Sequence, residues 1–310
     1  MRMRHRTTRT QRVGIRRVGG PLKTVLDKTK SLYDISLKLF CSWCAANDAW
    51  PNSKEELDHA ACQFLMHCWQ EGETRAVVAN LLSGIGNTEP SLKWHLAGTR
   101  RLYAAWVKRE LGARCCPVTW SMAEAIAGIL IHWSWVEEGA MVLLLHHGLL
   151  RTMEGLSSRC GDYIFQLPLL KAHLSLPDTK TSKRHGRSES VGLYEAIVVK
   201  LLAMLCENRQ PGDKVYSGSA ATFRKRLGLA LSALGMADLD IQVQSMRRGG
   251  ATDFFKKTNS MQEVAFRGRW ANFATAKLYT DAALQDRALM RLGNGSLLKA
   301  ARRRLHELLA

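Results

Sequence analysis

Apolar residues recur every three to four positions over most of the chain, the period of helices with one buried face. After a first stretch without that period, residues 31–112 predict helix after helix. Leu32, Ile35, Leu37, Leu39 and Phe40 open the first apolar stripe. The second helix begins at a capping box, Ser53 with Glu56, ahead of Leu57, Ala60 and Phe64. A third runs through 77–82 and closes at Gly84. A fourth starts near Pro90 and carries Trp94, Leu102 and Trp106 inward, with Lys93, Arg100, Arg101, Lys108 and Arg109 on its other face.

The stretch LGARCCPVTW at 111–120 breaks the period and predicts an interdomain linker. Beyond it, 123–135 and 140–150 predict two apolar helices. Short extended segments follow, near 163–165 and on both sides of the polar hairpin TKTSKRHGRSES. Helical stretches return at 193–206, 220–234 and 244–257. A Gly-Asn-Gly break at 293–295 precedes a last helix at 296–309 that carries Arg302, Arg303 and Arg304. The fold class is therefore mostly α, an α+β chain with one small antiparallel sheet in its second domain. The divisions are a basic disordered arm (1–30), a helical domain (31–112), a larger mainly helical domain (113–292) and a C-terminal helix (293–310).

Charge adds a partner class. The chain of 310 residues has 45 Lys and Arg against 27 Asp and Glu, a net charge of +18, which favours a polyanion, most commonly nucleic acid. Residues 1–30 hold seven Arg and three Lys against Asp27 alone, nine charges of that surplus. Such a segment suits an arm along phosphates, and its Arg-rich, acid-poor make-up equally suits organelle or nuclear targeting. No run of 18 apolar residues exists, so no membrane partner is expected. The eight cysteines carry no export context and are expected reduced. Cys41 and Cys44 form a CxxC, but without a second ligand pair at zinc spacing they read as buried structural thiols.

Candidate chemistry gathers in the second domain. HHGLLRTMEG places Glu154 three residues after Arg151, an ion pair within helical reach. The hairpin contains Lys180 and Lys183. QVQSMRRGGATDFF holds Gln244, Arg247 and Arg248, and FRGRWANFATAKLYTD sets Tyr279 nine residues after Trp270. Taken singly, these are an ordinary ion pair, solvated lysines, a basic patch and core aromatics.

In this order and spacing the residues resemble the tyrosine recombinase, or phage integrase, family. The resemblance spans about residues 117–292, with the helical domain before it like the family's DNA-clamping domain. It implies a catalytic set of Arg151, Lys180, Gln244, Arg247, Trp270 and Tyr279, supported by Glu154, Lys183 and Arg248. Backbone contacts would come from Lys93, Arg100, Arg101, Lys108 and Arg109. The implied reaction is DNA cutting and rejoining, as in site-specific recombination or integration of a mobile element, through a 3′-phosphotyrosyl bond. It needs no cofactor or metal. Double-stranded DNA is the implied partner, bound by a homo-tetramer, in a nucleus or nucleoid. The C-terminal helix would dock onto a neighbouring protomer, or act as a lid in cis. One position departs from the family: where its box begins with His, this chain has Gln244, which cannot take a proton. A weakened but active enzyme is expected. A DNA-binding relative without activity and a type IB topoisomerase-like enzyme are the alternatives.

Overall fold

A computed structural model describes residues 24–110, 115–177, 189–292 and 295–308. Contacts divide the chain into two compact units, Met1–Ala113 and Arg114–Ala310.

The first unit is a helical bundle of α1 (Asp27–Ala46), α2 (Lys54–Gln70), α3 (Arg75–Thr88), a 3₁₀ turn (Pro90–His95) and α4 (Ala97–Arg109). Ser53 caps α2 by accepting the Glu56 amide at 3.1 Å, while the Glu56 carboxylate accepts the amide of Asn52. The start of α4 is capped from a distance. Asp58 on α2 accepts the Gly98 and Thr99 amides at 2.8 and 2.9 Å and the Thr99 hydroxyl at 2.6 Å. Burial would raise the Asp58 carboxyl, but these hydrogen bonds outweigh it and hold it below its ordinary range.

Several expectations change here. Helix α1 begins at Asp27, so 27–30 are helical and not part of an arm; residues 1–23 lie outside the described residues. Its buried line is Ser36, Phe40 and Cys44. Leu32, Ile35 and Leu39 face out, and so does Cys41, so only one thiol of the CxxC is buried. The fourth helix is two elements, because the 3₁₀ turn ends at His95, and Trp94 on that turn is 79% exposed. Lys93, Arg100, Arg101, Lys108 and Arg109 are all exposed. Lys93 Nζ lies 4.9 Å from the centre of the Trp94 ring.

The second unit is built around α5 (Trp120–His132) and α6 (Val136–His147), whose apolar residues are buried on nearly every side. A short α7 (Thr152–Leu156) leads to an antiparallel sheet of β1 (Tyr163–Gln166), β2 (Lys171–Leu176) and β3 (Glu189–Leu193), in that order. Burial alternates along β2, with Ala172, Leu174 and Leu176 turned to the core, the period of a half-buried strand. Then come α8 (Ala196–Cys206), α9 (Ala220–Ala233), α10 (Gln244–Thr258), α11 (Met261–Arg267), α12 (Phe273–Tyr279), α13 (Ala282–Arg291) and α14 (Ser296–Glu307).

Residues 115–119, expected as linker, belong to this unit. Cys115, Cys116 and Val118 are buried, and the Cys116 and Val118 amides donate to Asp240 and Ser245 carbonyls. Helix α10 packs so closely on this segment that a Cβ on Gly249 would stand 1.7 Å from the Val118 carbonyl oxygen. The C-terminal helix is docked within its own chain, against α5. Leu298, Ala301 and Leu305 enter the core, and the buried Glu124 carboxylate accepts from Arg302 at 2.6 Å and His306 at 3.1 Å. Gly128 permits the approach, since a Cβ there would meet the Ala301 carbonyl oxygen at 2.3 Å. Among the described residues, no helix is long and apolar enough to cross a membrane.

Candidate active site

The site forms where α7, α10 and the 268–279 segment meet. Arg151 is the N-cap of α7, and its amide donates to the Glu154 carboxylate at 2.8 Å, so the same acid caps the helix and pairs with the Arg151 guanidinium at 2.5 Å. Arg247 lies one turn into α10. It is 3% exposed, donates through Nη2 to the Gly268 carbonyl at 2.7 Å, and brings Nη1 within 3.8 Å of Glu154. The α10 helix can enter the core here because its own Gly249 and Gly250 present no side chain to clash with the Val118 and His146 carbonyls.

Two aromatic rings close over Arg247. Its guanidinium carbon is 4.7 Å from the centre of Trp270 and 5.5 Å from that of Tyr279, and the rings lie 4.9 Å apart at 36°. Tyr279 ends α12, where Asn272 caps the first turn by accepting the Thr275 amide. The buried Thr252 hydroxyl fixes the chain just beyond it, accepting the Asp281 amide at 3.1 Å.

The electrostatics are those of three arginines gathered on one carboxylate, Glu154. Burial first, then the neighbouring Arg269 charge, brings the Arg247 guanidinium down to about 10, with Glu154 pulling the other way. It remains charged at neutral pH. Burial favours the neutral form of Glu154, but Arg269 and Arg151 outweigh it and keep the carboxyl ionised below its ordinary range. Arg247 Nε and Nη1 are buried with no hydrogen-bond partner among the described residues. Buried donors of this kind cost stability unless something pairs with them.

The structure thus brings together Arg151, Glu154, Arg247, Trp270 and Tyr279. It does not bring in Arg248, which turns away from this cluster and pairs at 4.0 Å with Asp281. Gln244 starts α10 and is exposed. Its amide reaches Gln242 at 3.5 Å, and it lines a groove of about 510 Å³ with Thr152 and Met153. Lys180 and Lys183 lie outside the described residues, between β2 and β3. Sequence reasoning missed Arg269. It stands immediately before Trp270, its side chain is 9% exposed, and it donates to Glu154 at 2.7 Å.

No protein-family model matches the sequence, and no curated protein matches it. Solved structures do. The XerH site-specific recombinase bound to palindromic difH substrate, a post-cleavage complex, is matched with a TM-score of 0.57 at 12% identity, over 82% of this chain and 75% of that one. The Tn1549 transposon integrase in complex with transposon right-end DNA is matched at 0.58 and 12% identity, over 89% and 95%. Identity this low speaks for architecture alone. The chain has the tyrosine recombinase fold, a mostly helical chain with a small antiparallel sheet.

Proposed function

We propose that this chain is a tyrosine-type DNA strand transferase, a site-specific recombinase or integrase that breaks and rejoins DNA through a 3′-phosphotyrosyl bond to Tyr279. The observation that carries the reading is Arg247, a buried, charged guanidinium with two donors unmet and the Tyr279 ring against its face. A buried guanidinium with donors left over beyond the Gly268 carbonyl, and with Glu154 no nearer than 3.8 Å, fits a site built for an anion, and the phenol beside it is a nucleophile.

In the reaction, Tyr279 Oη gives its proton up to solvent water and attacks phosphorus, the P–O5′ bond breaks, and the phosphoryl group passes to the phenol. Negative charge gathers on the non-bridging oxygens as it does so. The forks of Arg151 and Arg247 offer paired charge-assisted donors to them, as a lysine cannot. The Trp270 indole N–H is a further donor. The departing 5′ oxygen takes its proton from Lys180, or from Lys183 as its rival. Because the phosphotyrosyl link keeps the bond energy, attack by a 5′ hydroxyl reverses it and reseals the strand.

The exposed Lys93, Arg100, Arg101, Lys108 and Arg109 support duplex DNA as the partner, each neutralising backbone phosphate in a salt-dependent way. That the XerH and Tn1549 proteins were solved with DNA supports the same partner. Exchange between two duplexes cuts four strands, which calls for four tyrosines and hence four protomers. Gln244 favours a second reading, a DNA-binding relative with weakened chemistry, since an exposed amide stands where the family places an imidazole.

The test is a nicked suicide duplex. A denaturation-resistant protein–DNA band that disappears in Tyr279→Phe supports strand transfer. Salt-sensitive binding with no band at any enzyme concentration identifies the inactive relative instead.

A further inference from the structure

We propose that Arg269 is a positioning residue that ties strand β3 to the arginine cluster around Glu154, an inference that rests on the strand-transfer reading above. Two costs coincide at this residue. Its backbone has φ +57°, the left-handed region where glycine is at ease and a side chain is strained. Its guanidinium is also buried, and taking such a charge out of water is unfavourable unless it is well paired. Both fall on the residue that immediately precedes Trp270.

The pairing spans two separate elements. Nη2 donates to Glu154 Oε2 at 2.7 Å, and Nε stands 3.3 Å from Oε2 of Glu189, the first residue of β3, an ion pair by distance in which neither of those two atoms completes a hydrogen bond. Glu154 in turn holds Arg151 at 2.5 Å and Arg247 at 3.8 Å. A continuous line of alternating charge therefore runs from β3 through Arg269 and Glu154 to the guanidinium under Tyr279. Glu189 pairs with Leu176 across the sheet, so the contact fixes the strand at the point where the chain returns from the segment holding Lys180 and Lys183. A branched guanidinium can engage both acids at once, whereas an ammonium is a single point of charge. The left-handed φ itself is the ordinary close of α11, where the Arg269 amide donates to the Phe266 carbonyl and the Trp270 amide to the Ala265 carbonyl, so what sets the residue apart is a guanidinium held between acids from two other elements.

Arg269→Gly, Arg269→Lys and Glu189→Gln in the full chain separate these roles. Glycine relieves the backbone, so a purely conformational role predicts a variant indistinguishable from wild type. The proposal predicts faster amide hydrogen exchange over 190–193 and 152–156 in Arg269→Gly, with partial recovery in Arg269→Lys. It also predicts that adduct formation on the suicide duplex slows by about tenfold or more, the scale of loss from misplaced reacting groups. The acid limb of its pH profile should move upward, because Glu154 loses the cation that most favours its ionised form. Glu154 would then face only Arg151 and Arg247. If Arg269→Gly melts without cooperativity, Glu189→Gln removes only the β3 end and should show the same exchange change at 190–193. Unchanged exchange at β3 in the folded variants overturns the proposal. Absence of an adduct in the wild type overturns the strand-transfer reading, and the exchange result still decides the role of Arg269.

Discussion

The ring of Tyr279 stands 5.5 Å from the guanidinium carbon of Arg247, although the two come from different helices. A cation so near the phenol ring sits beside whatever anion the phenol attacks. The same guanidinium keeps its Nη2 on the Gly268 carbonyl, so the group is fixed before any substrate arrives. Preorganisation of that sort avoids the cost of reorienting dipoles as charge develops.

Arg247→Lys tests the fork directly. The charge is kept, so the salt dependence of duplex binding should change little. The paired donors are lost, and removing a preorganised donor typically costs about a hundredfold or more in rate. Single-turnover adduct formation on a suicide duplex measures this. A rate within threefold of wild type would show that Arg247 contributes only charge.

Gly268→Ala tests the aromatic lid without touching it. The φ at Gly268 is −80°, ordinary for any residue, so backbone strain is not at issue. A Cβ there would fall 1.8 Å from Cζ3 of Trp270, however, and the indole must swing off the face of Arg247. We expect a loss of about tenfold or more in adduct rate, as for a misplaced catalytic group, together with a loss of tryptophan-to-tyrosine contact visible in near-ultraviolet circular dichroism. An unchanged spectrum with an unchanged rate would mean that the alanine is absorbed elsewhere and that the ring's place is not what matters.

The helical character and the small sheet were legible because apolar periodicity survives in a single sequence. Arg151, Arg247, Trp270 and Tyr279 were legible because each occupies a set place in an ordered series. Arg269 was not, since in a chain of net charge +18 one more arginine carries no signal until its burial between Glu154 and Glu189 is known. Helix α1 misled for a different reason. It has more apolar residues than buried slots, and only the line through Ser36, Phe40 and Cys44 faces the bundle, leaving Leu32, Ile35 and Leu39 outside. For α14 the sequence held a buried face, Leu298, Ala301 and Leu305, but nothing to say what covers it. The partner is α5 of the same chain, made accessible by Gly128.

Gln244→His asks whether the chain's departure at this position limits its chemistry. Gln244 is exposed and opens α10 one turn ahead of Arg247, so an imidazole there needs no room to be made. General acid–base assistance contributes about a hundredfold or more where it is positioned. If the missing imidazole limits the rate, the variant should form adduct at least about tenfold faster and gain a pH dependence near the ordinary histidine range. No gain at any pH would mean that this position serves only to orient phosphate, which an amide already does.

His147 supplies a pH test of the frame behind the site. Its ring Nε2 accepts the Tyr194 amide at 3.1 Å, and Arg267 crowds it at 3.3 Å. Burial first, then the charges of Arg267, His146 and Lys257, push the imidazole down to about 3. In the unfolded chain it titrates near about 6.5. Because the folded value is the lower one, the unfolded chain binds the proton first as pH falls. The stability contributed by the neutral ring is therefore complete above about pH 6.5 and is lost progressively down to pH 3, by up to about 1.4 kcal/mol for each pH unit. His147→Gln keeps an acceptor for Tyr194 and removes the titration. Chemical denaturation at pH 7, 6, 5 and 4 should give a shallower decline in the variant than in wild type, even where the variant starts out less stable at pH 7. Parallel declines would show that His147 takes up its proton in the folded protein as readily as in the unfolded chain, and that Arg267 does not hold it neutral.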